Sequence, residues 1–329
     1  MRRSTSGLLL LALSILVTPF AADAQPAGKV RRLGVLGLGA APSAAVARQS
    51  PFWQAMHELG WVEGENITVE RRFAEGMLDR LPDLAADLVR LRPDVIVTTG
   101  TPGVRAAQQA TTTIPIVLMG AGMLVEQGIV ASLAHPGGNI TGVEYDAVGI
   151  SGKRLEFLKD AVPQLARVAF LYNPANPYFP FELTSMETDA RALGVQLQPV
   201  AVRHPNEFDV AFATIVEQRP DALFIGNDAL LNSYLRQILD FATTHRLPTL
   251  SGWRQAAEAG SLLVFGFSAR ELFQRAAVYV DKILKGASPG DLPIERSTKP
   301  ELIINLKTAQ ALGLTIPPTL LFQADEIIR

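Results

Sequence analysis

Arg32-Leu-Gly-Val-Leu36 and Arg167-Val-Ala-Phe-Leu171 are the same kind of phrase, an arginine followed by a short apolar run, and they stand 135 residues apart. Three further pairs keep the same order along the chain. Leu59-Gly60 matches Leu193-Gly194, Arg92-Pro93-Asp94-Val95 matches Arg219-Pro220-Asp221-Ala222, and Ile114-Pro115-Ile116 matches Leu247-Pro248-Thr249, at offsets of 134, 127 and 133. Each pair lies where a helical stretch gives way to a strand. Together they read as one α/β unit written twice. Arg-Pro-Asp is also good loop chemistry on its own, so a recurring way of opening strands is the competing reading.

Outward from these phrases, short β-rich runs alternate with amphipathic stretches. Residues 29–36, 67–72, 95–98 and 116–119 read as strands, and residues 45–59, 78–91 and 104–110 as helices. Such alternation with short Gly/Pro connections predicts mostly parallel sheets with helices on both faces. Two α/β lobes imply a cleft between them. Open parallel sheets bind ligands beyond the carboxyl ends of their strands, where helix N-termini present unpaired N–H groups.

The loops at those ends are residues 37–43, 98–103 and 120–123 in the first lobe and 172–178, 226–228 and 251–254 in the second. They are rich in Gly, Ser, Thr and Asn. Ser43, Thr99 and Thr101, with the backbone freed by Gly100, suit a carboxylate. Tyr172, Tyr178, Phe179 and Trp253 suit a flat or apolar side group. Asp228, beside Asn227, suits an ammonium group. Each has a plainer reading. Ser and Thr are ordinary helix N-caps, Asn173 and Asn176 before prolines form turns unaided, the aromatic residues pack cores, and Asp228 caps a following helix at 230–241.

Composition narrows the function. The chain has 329 residues, 48% hydrophobic, enough for two packed domains. Lys and Arg number 30 against 32 Asp and Glu, with no basic excess for nucleic acid. Absence of Cys excludes disulfides, thiolate metal sites, cysteine nucleophiles and a lipid-modified N-terminal Cys. No Gly-x-Ser-x-Gly elbow, phosphate loop or His-Glu-x-x-His motif occurs, and His57, His135, His204 and His245 are scattered. Gly37-x-Gly39-x-x-Pro42 begins like a dinucleotide fingerprint, but proline stands where close helix packing needs Gly or Ala. No enzyme activity, cofactor or metal is expected.

Residues 1–24 have the three parts of a secretory signal: Arg2-Arg3, an apolar stretch over 8–20, and Ala22-Asp23-Ala24 as a cleavage site. The mature chain is expected to start at Gln25 and to be a soluble periplasmic protein, not a lipoprotein.

Longer stretches carry a resemblance. Glu58-Leu-Gly-Trp-Val-Glu-Gly-Glu-Asn-Ile67, Arg71-Arg-Phe-Ala-Glu-Gly76, Ser132-Leu-Ala-His-Pro-Gly-Gly-Asn-Ile-Thr-Gly142, Ser151-Gly-Lys-Arg-Leu-Glu-Phe-Leu-Lys159 and Asn305-Leu-Lys-Thr-Ala-Gln-Ala-Leu-Gly-Leu-Thr-Ile-Pro-Pro318 resemble the solute-binding proteins of ABC importers, in the tryptophan/tyrosine transport group. The resemblance spans essentially the whole mature chain. It implies an α/β type I periplasmic-binding-protein architecture, two Rossmann-like lobes with parallel sheets and a hinge of three crossings. The implied ranges are 25–142 for lobe 1, 143–265 for lobe 2, 266–290 for a return to lobe 1, and 291–329 for a third crossing and C-terminal segment.

By the same resemblance Thr98-Thr-Gly-Thr-Pro102, Asn173-Pro-Ala-Asn176 and Asp228 match the family's strand-end loops. Many relatives have Gly-Asp-Pro-Val where this chain has Gly122-Met-Leu-Val125, so Met123 replaces an acidic residue and bears on amine recognition, with Glu126 one turn further on. The implied function is capture of a small solute, an aromatic amino acid or related small carboxylate, and delivery by a monomeric protein to an inner-membrane permease driven by its ATPase. An exported sensor component, signalling to a membrane receptor, is the alternative.

Overall fold

The computed structural model describes residues 30–146 and 148–329; the leader expected over residues 1–24 lies outside them. The first half runs β1 (Arg31–Gly37), α1 (Ala44–Arg48), α2 (Pro51–Glu58), β2 (Ile67–Phe73), α3 (Leu81–Arg90), β3 (Val95–Thr98), α4 (Gly100–Ala110), β4 (Ile116–Met119) and β5 (Ile140–Tyr145). The second half repeats it as α5 (Ser151–Ala161), β6 (Arg167–Tyr172), α6 (Phe179–Ala192), β7 (Gln196–Ala201), α7 (Phe208–Gln218), β8 (Ala222–Ile225), α8 (Ala229–Ser233), α9 (Leu235–Thr244), β9 (Thr249–Ser251), α10 (Arg254–Glu258) and β10 (Leu263–Phe267). The chain ends with α11 (Ala269–Leu284), β11 (Glu295–Ser297), β12 (Pro300–Asn305), α12 (Leu306–Leu312), α13 (Pro318–Gln323) and β13 (Glu326–Ile328).

The strands form two sheets, ordered β11-β5-β4-β3-β1-β2 and β13-β12-β10-β9-β8-β6-β7. Among the described residues only the β10–β12 pair is antiparallel. The α/β class with two mostly parallel sheets is therefore the observed one, and β5-β4-β3-β1-β2 and β10-β9-β8-β6-β7 are the same order twice.

The repeated phrases have a common physical cause. Gly60 and Gly194 stand at φ 89° and 69°. Behind them the Trp61 and Val195 N–H groups donate back to Met56 O and Ala190 O, at 2.9 and 2.8 Å, the closing bond of a Schellman helix end. In Arg-Pro-Asp, Arg92 and Arg219 turn left-handed at φ 50° and 48°. The following carboxylates then accept from the first strand of each half. Asp94 takes the Arg32 N–H at 2.8 Å, and Asp221 takes the Arg167 N–H at 2.8 Å.

Three expected elements change, the first being the helix read over 230–241, which is α8 and α9 broken at Tyr234. The helix read over residues 45–59 is two helices, because Pro51 has no N–H to continue the first and Ser50 caps the second through the Trp53 N–H. Residues 100–103, read as loop, are the first turn of α4, entered through Gly100 at φ 63°.

Among the described residues the chain passes between the sheets three times: after Tyr145, after Phe267, and between Ser297 and Pro300. These points correct the expected ranges. Gly142 lies inside β5, paired with Leu118, and residues 143–145 still pair with β11. The return to the first sheet begins at α11 and extends through β11 to Ser297, beyond the expected end at 290. Gly142 and Gly266, at the edges of the expected ranges, are places of close approach. A Cβ at Gly142 would lie 2.3 Å from Leu118 O, and one at Gly266 would lie 2.1 Å from Gly252 O. Gly266→Ala is expected to cost about 1–3 kcal/mol of stability, seen as a lower urea midpoint at unchanged slope.

Candidate functional site

The carboxyl ends of both sheets face a cavity of about 280 Å³ between the two halves. From the first half come Leu38 and Gly39 after β1, Thr99 to Thr101 where α4 starts, Met119 and Gly120 ending β4, and Tyr145 ending β5. The second half supplies Asn176 and Tyr178 before α6, Asn227 and Asp228 after β8, and Trp253 and Gln255 after β9. Phe273 of α11 completes an aromatic enclosure with Tyr145, Tyr178 and Trp253. The Tyr145 and Trp253 rings meet edge to face with centroids 6.4 Å apart. The halves touch on both sides of the cavity. A Cβ at Gly76 would lie 3.1 Å from the Leu230 Cα, and one at Gly122 would lie 2.9 Å from the Tyr178 ring.

Asp228 is both of the things its position allowed. It caps α8, accepting from the Leu230 N–H at 2.9 Å, and it lines the cavity while only 3% exposed. Its other partners are amides: the Asn173 Nδ2 donates to Oδ1 at 3.1 Å and the Asn176 Nδ2 to Oδ2 at 2.9 Å. Burial pushes its pKa up, against the pull of Asn176 and Asn173. Among the described residues no Lys, Arg or His stands in the cavity wall, so the charge of Asp228 has no opposite there. Across the cavity, α4 presents its N-terminus, the positive end of the helix dipole. Thr99 stands at its N-cap without bonding to the helix, and the Thr101 hydroxyl donates to Gly122 O at 3.2 Å.

Of the residues singled out from sequence, Thr99, Gly100, Thr101, Asn176, Tyr178, Asn227, Asp228 and Trp253 line this cavity. Ser43, Met123 and Asn173 do not. Ser43 caps α1 through the Val46 N–H. Met123, at φ 59°, packs against the core outside the cavity wall, and Glu126 is exposed. Asn173 is fully buried behind Asp228 and holds it in place. Tyr172 and Phe179 are core: both pack on Phe170, Tyr172 stacked at 5.5 Å and Phe179 edge-on at 5.9 Å.

Tyr145 and Phe273 were missed because both depend on where the chain changes lobes. A boundary after Tyr145 instead of at Gly142 puts Tyr145 at a strand end, where sequence logic looks for ligands. Beneath the second-half loops, Arg154 and Glu182 form an ion pair at 2.8 Å, with side chains 0% and 1% exposed. The Arg154 Nε donates to Phe265 O at 2.9 Å.

A two-lobed α/β shell around an aromatic, singly acidic cavity defines a class: a small-molecule-binding protein of the type I periplasmic-binding fold. The chain belongs to the ABC transporter substrate binding protein family, whose profile matches residues 41–328. It is 27% identical over 286 residues to the "Tyrosine-binding protein" of Clostridioides difficile, covering 87% of this chain and 82% of that one. Among solved structures it resembles a "conserved domain protein" of Vibrio cholerae, with TM-score 0.83 and 25% identity over 91% of this chain and 100% of the other. It also resembles an ABC domain in complex with L-Trp from Streptococcus pneumonia, with TM-score 0.82 and 23% identity over 91% and 99%. Among the described residues no helix is long and apolar enough to cross a membrane.

Proposed function

We propose that this protein captures a small solute, an aromatic amino acid or a related small carboxylate, between its lobes in the periplasm and delivers it to the permease of an ABC importer. The single observation that carries the reading is the uncompensated Asp228 facing the N-terminus of α4 across an aromatic cavity. A zwitterion suits that polarity: its ammonium goes to Asp228, its carboxylate to the Thr99 hydroxyl and the Thr101 N–H, since the Gly100 N–H already donates to Gly120 O and Pro102 has none, and its ring to Tyr145, Tyr178, Trp253 and Phe273. The relative named for tyrosine binding and the solved L-Trp complex support the same ligand class. Contacts from both lobes favour the closed form when ligand is present, and a permease reads that difference.

A thermal-shift screen of the chain from Gln25 onward, against amino acids and aromatic acids, tests the reading. Ligand at about a hundred times its Kd adds about 2.7 kcal/mol, a rise of several degrees. Tryptophan, tyrosine or phenylalanine is expected to give it; a folded protein that no member of the panel shifts would sink the proposal.

A further inference from the structure

The cavity between the lobes has a neighbour. A second cavity of about 310 Å³ lies in the first lobe beside residues 37–50. Leu38, Gly39, Thr99, Met119 and Phe273 belong to the walls of both, so these five form the partition between them. Behind the partition the wall is apolar, built by Val35, Phe52, Phe73 and Val97. One cation reaches it, Arg71, and that charge is already matched: both guanidinium nitrogens donate to the Glu63 carboxylate at 2.7 Å. The Arg71 guanidinium also lies 5.4 Å from the centroid of the Trp53 ring, another wall residue.

The cover of this chamber is unusual. It includes α1, Ala44–Arg48, which buries none of its five residues and leaves Val46 59% exposed. A helix in a folded protein ordinarily owes its stability to an apolar face packed on something. Here an alanine- and valine-bearing helix stands over an apolar chamber that opens, across one partition, on the ligand cavity. Met119 in that partition is unbranched and adapts readily to a neighbour that needs room.

We infer that the second chamber receives an apolar arm of the same ligand whose carboxylate is held at the start of α4 and whose amine, in a ligand that carries one, is held at Asp228. This rests on the capture reading and narrows its substrate class to amino acids, or amine-free acids, that carry an extended aryl or arylalkyl arm. The head fixes orientation, the arm passes Met119 and Phe273, and α1 closes over it, gaining the packing it otherwise lacks. Lobe closure and α1 docking then report the same ligand.

Titration calorimetry on two homologous series tests this. One is L-phenylalanine, L-homophenylalanine and L-2-amino-5-phenylpentanoic acid. The other is phenylacetate, 3-phenylpropionate, 4-phenylbutyrate and 5-phenylpentanoate, which lack the amine. Each added methylene that becomes buried is expected to tighten binding about four-fold, in at least one series. Ala47→Phe fills the chamber from its cover and Val35→Phe from its floor. Either is expected to erase the advantage of the long members over the short, and two variants guard against one that fails to fold. Affinity that falls at the first added methylene in both series overturns the inference while leaving the capture reading standing. So does a gain that survives both variants. If no member of either series binds folded protein, both fall together.

Discussion

Asp228→Asn weakens capture of an aromatic amino acid by about 2–5 kcal/mol, at least about thirty-fold in affinity. The physical basis is that, among the described residues, Asp228 is the only acidic one in a cavity wall that holds no Lys, Arg or His. Its own partners, Asn173, Asn176 and the Leu230 N–H, are neutral. An ammonium group placed there favours the charged form of the carboxylate, offsetting the burial that raises its pKa. Asparagine keeps the cap through its Oδ1, but its Nδ2 then faces the Asn176 Nδ2, a donor against a donor, so the unliganded fold also loses about 1–3 kcal/mol. Calorimetry with L-tryptophan and indole-3-propionate separates the charge from the shape. The amino acid should bind the variant far more weakly, whereas the amine-free acid should bind it better than it binds the parent, being freed from repulsion. An equal loss for both would mean that Asp228 shapes the loop and does not hold an amine.

Removing Glu182 costs more than removing Arg154, although the two form one ion pair. Burial pushes Glu182 up to about 7, against the pull of the Arg154 guanidinium. A carboxylate left alone there takes a proton and becomes neutral. Arginine cannot shed one. Glu182→Leu therefore strands a cation under the cleft and costs about 3–5 kcal/mol. Arg154→Leu costs less, most visibly below pH 6, and the double replacement by leucine recovers most of the loss. Urea unfolding of the four proteins measures this, and equal losses for the two single variants would contradict it.

The same pair predicts a pH dependence of known sign. Between 4.5, the ordinary value, and about 7 the folded protein keeps a proton on Glu182 that the unfolded chain has lost. The folded state then binds more protons, so stability falls as pH rises through that window, by about 3 kcal/mol in all. Glu182→Gln, which still accepts from Arg154, should flatten this slope. A slope unchanged in the Gln variant would assign it to other groups.

Much of this molecule was legible locally. Leu59-Gly60 and Leu193-Gly194 announce helix ends because a left-handed residue must follow the last turn, and Gly takes that conformation without a steric penalty. Arg92-Pro93-Asp94 and Arg219-Pro220-Asp221 announce strand starts, because an aspartate there is placed to hold the backbone of the neighbouring strand. Four such phrases in order were enough for two α/β lobes, and the rule of strand carboxyl ends was enough for Thr99, Asn176, Asp228 and Trp253. The rule failed at Ser43, whose hydroxyl caps α1, and at Met123, whose left-handed backbone turns it into the core.

What the sequence by itself determined is thus the kind of unit, its duplication and the chemistry at its strand ends, because caps, turns and strand starts are governed by neighbours a few residues away. The tertiary structure alone decided where the chain changes lobes, that Tyr145 and Phe273 join the cavity, and that Asn173 and Asn176 grip Asp228 from 55 and 52 residues away. It also decided that Arg154 meets Glu182 and that α1 stands over an apolar chamber. Those choices depend on packing between segments far apart in the chain, and such contacts leave no local pattern for periodicity to register.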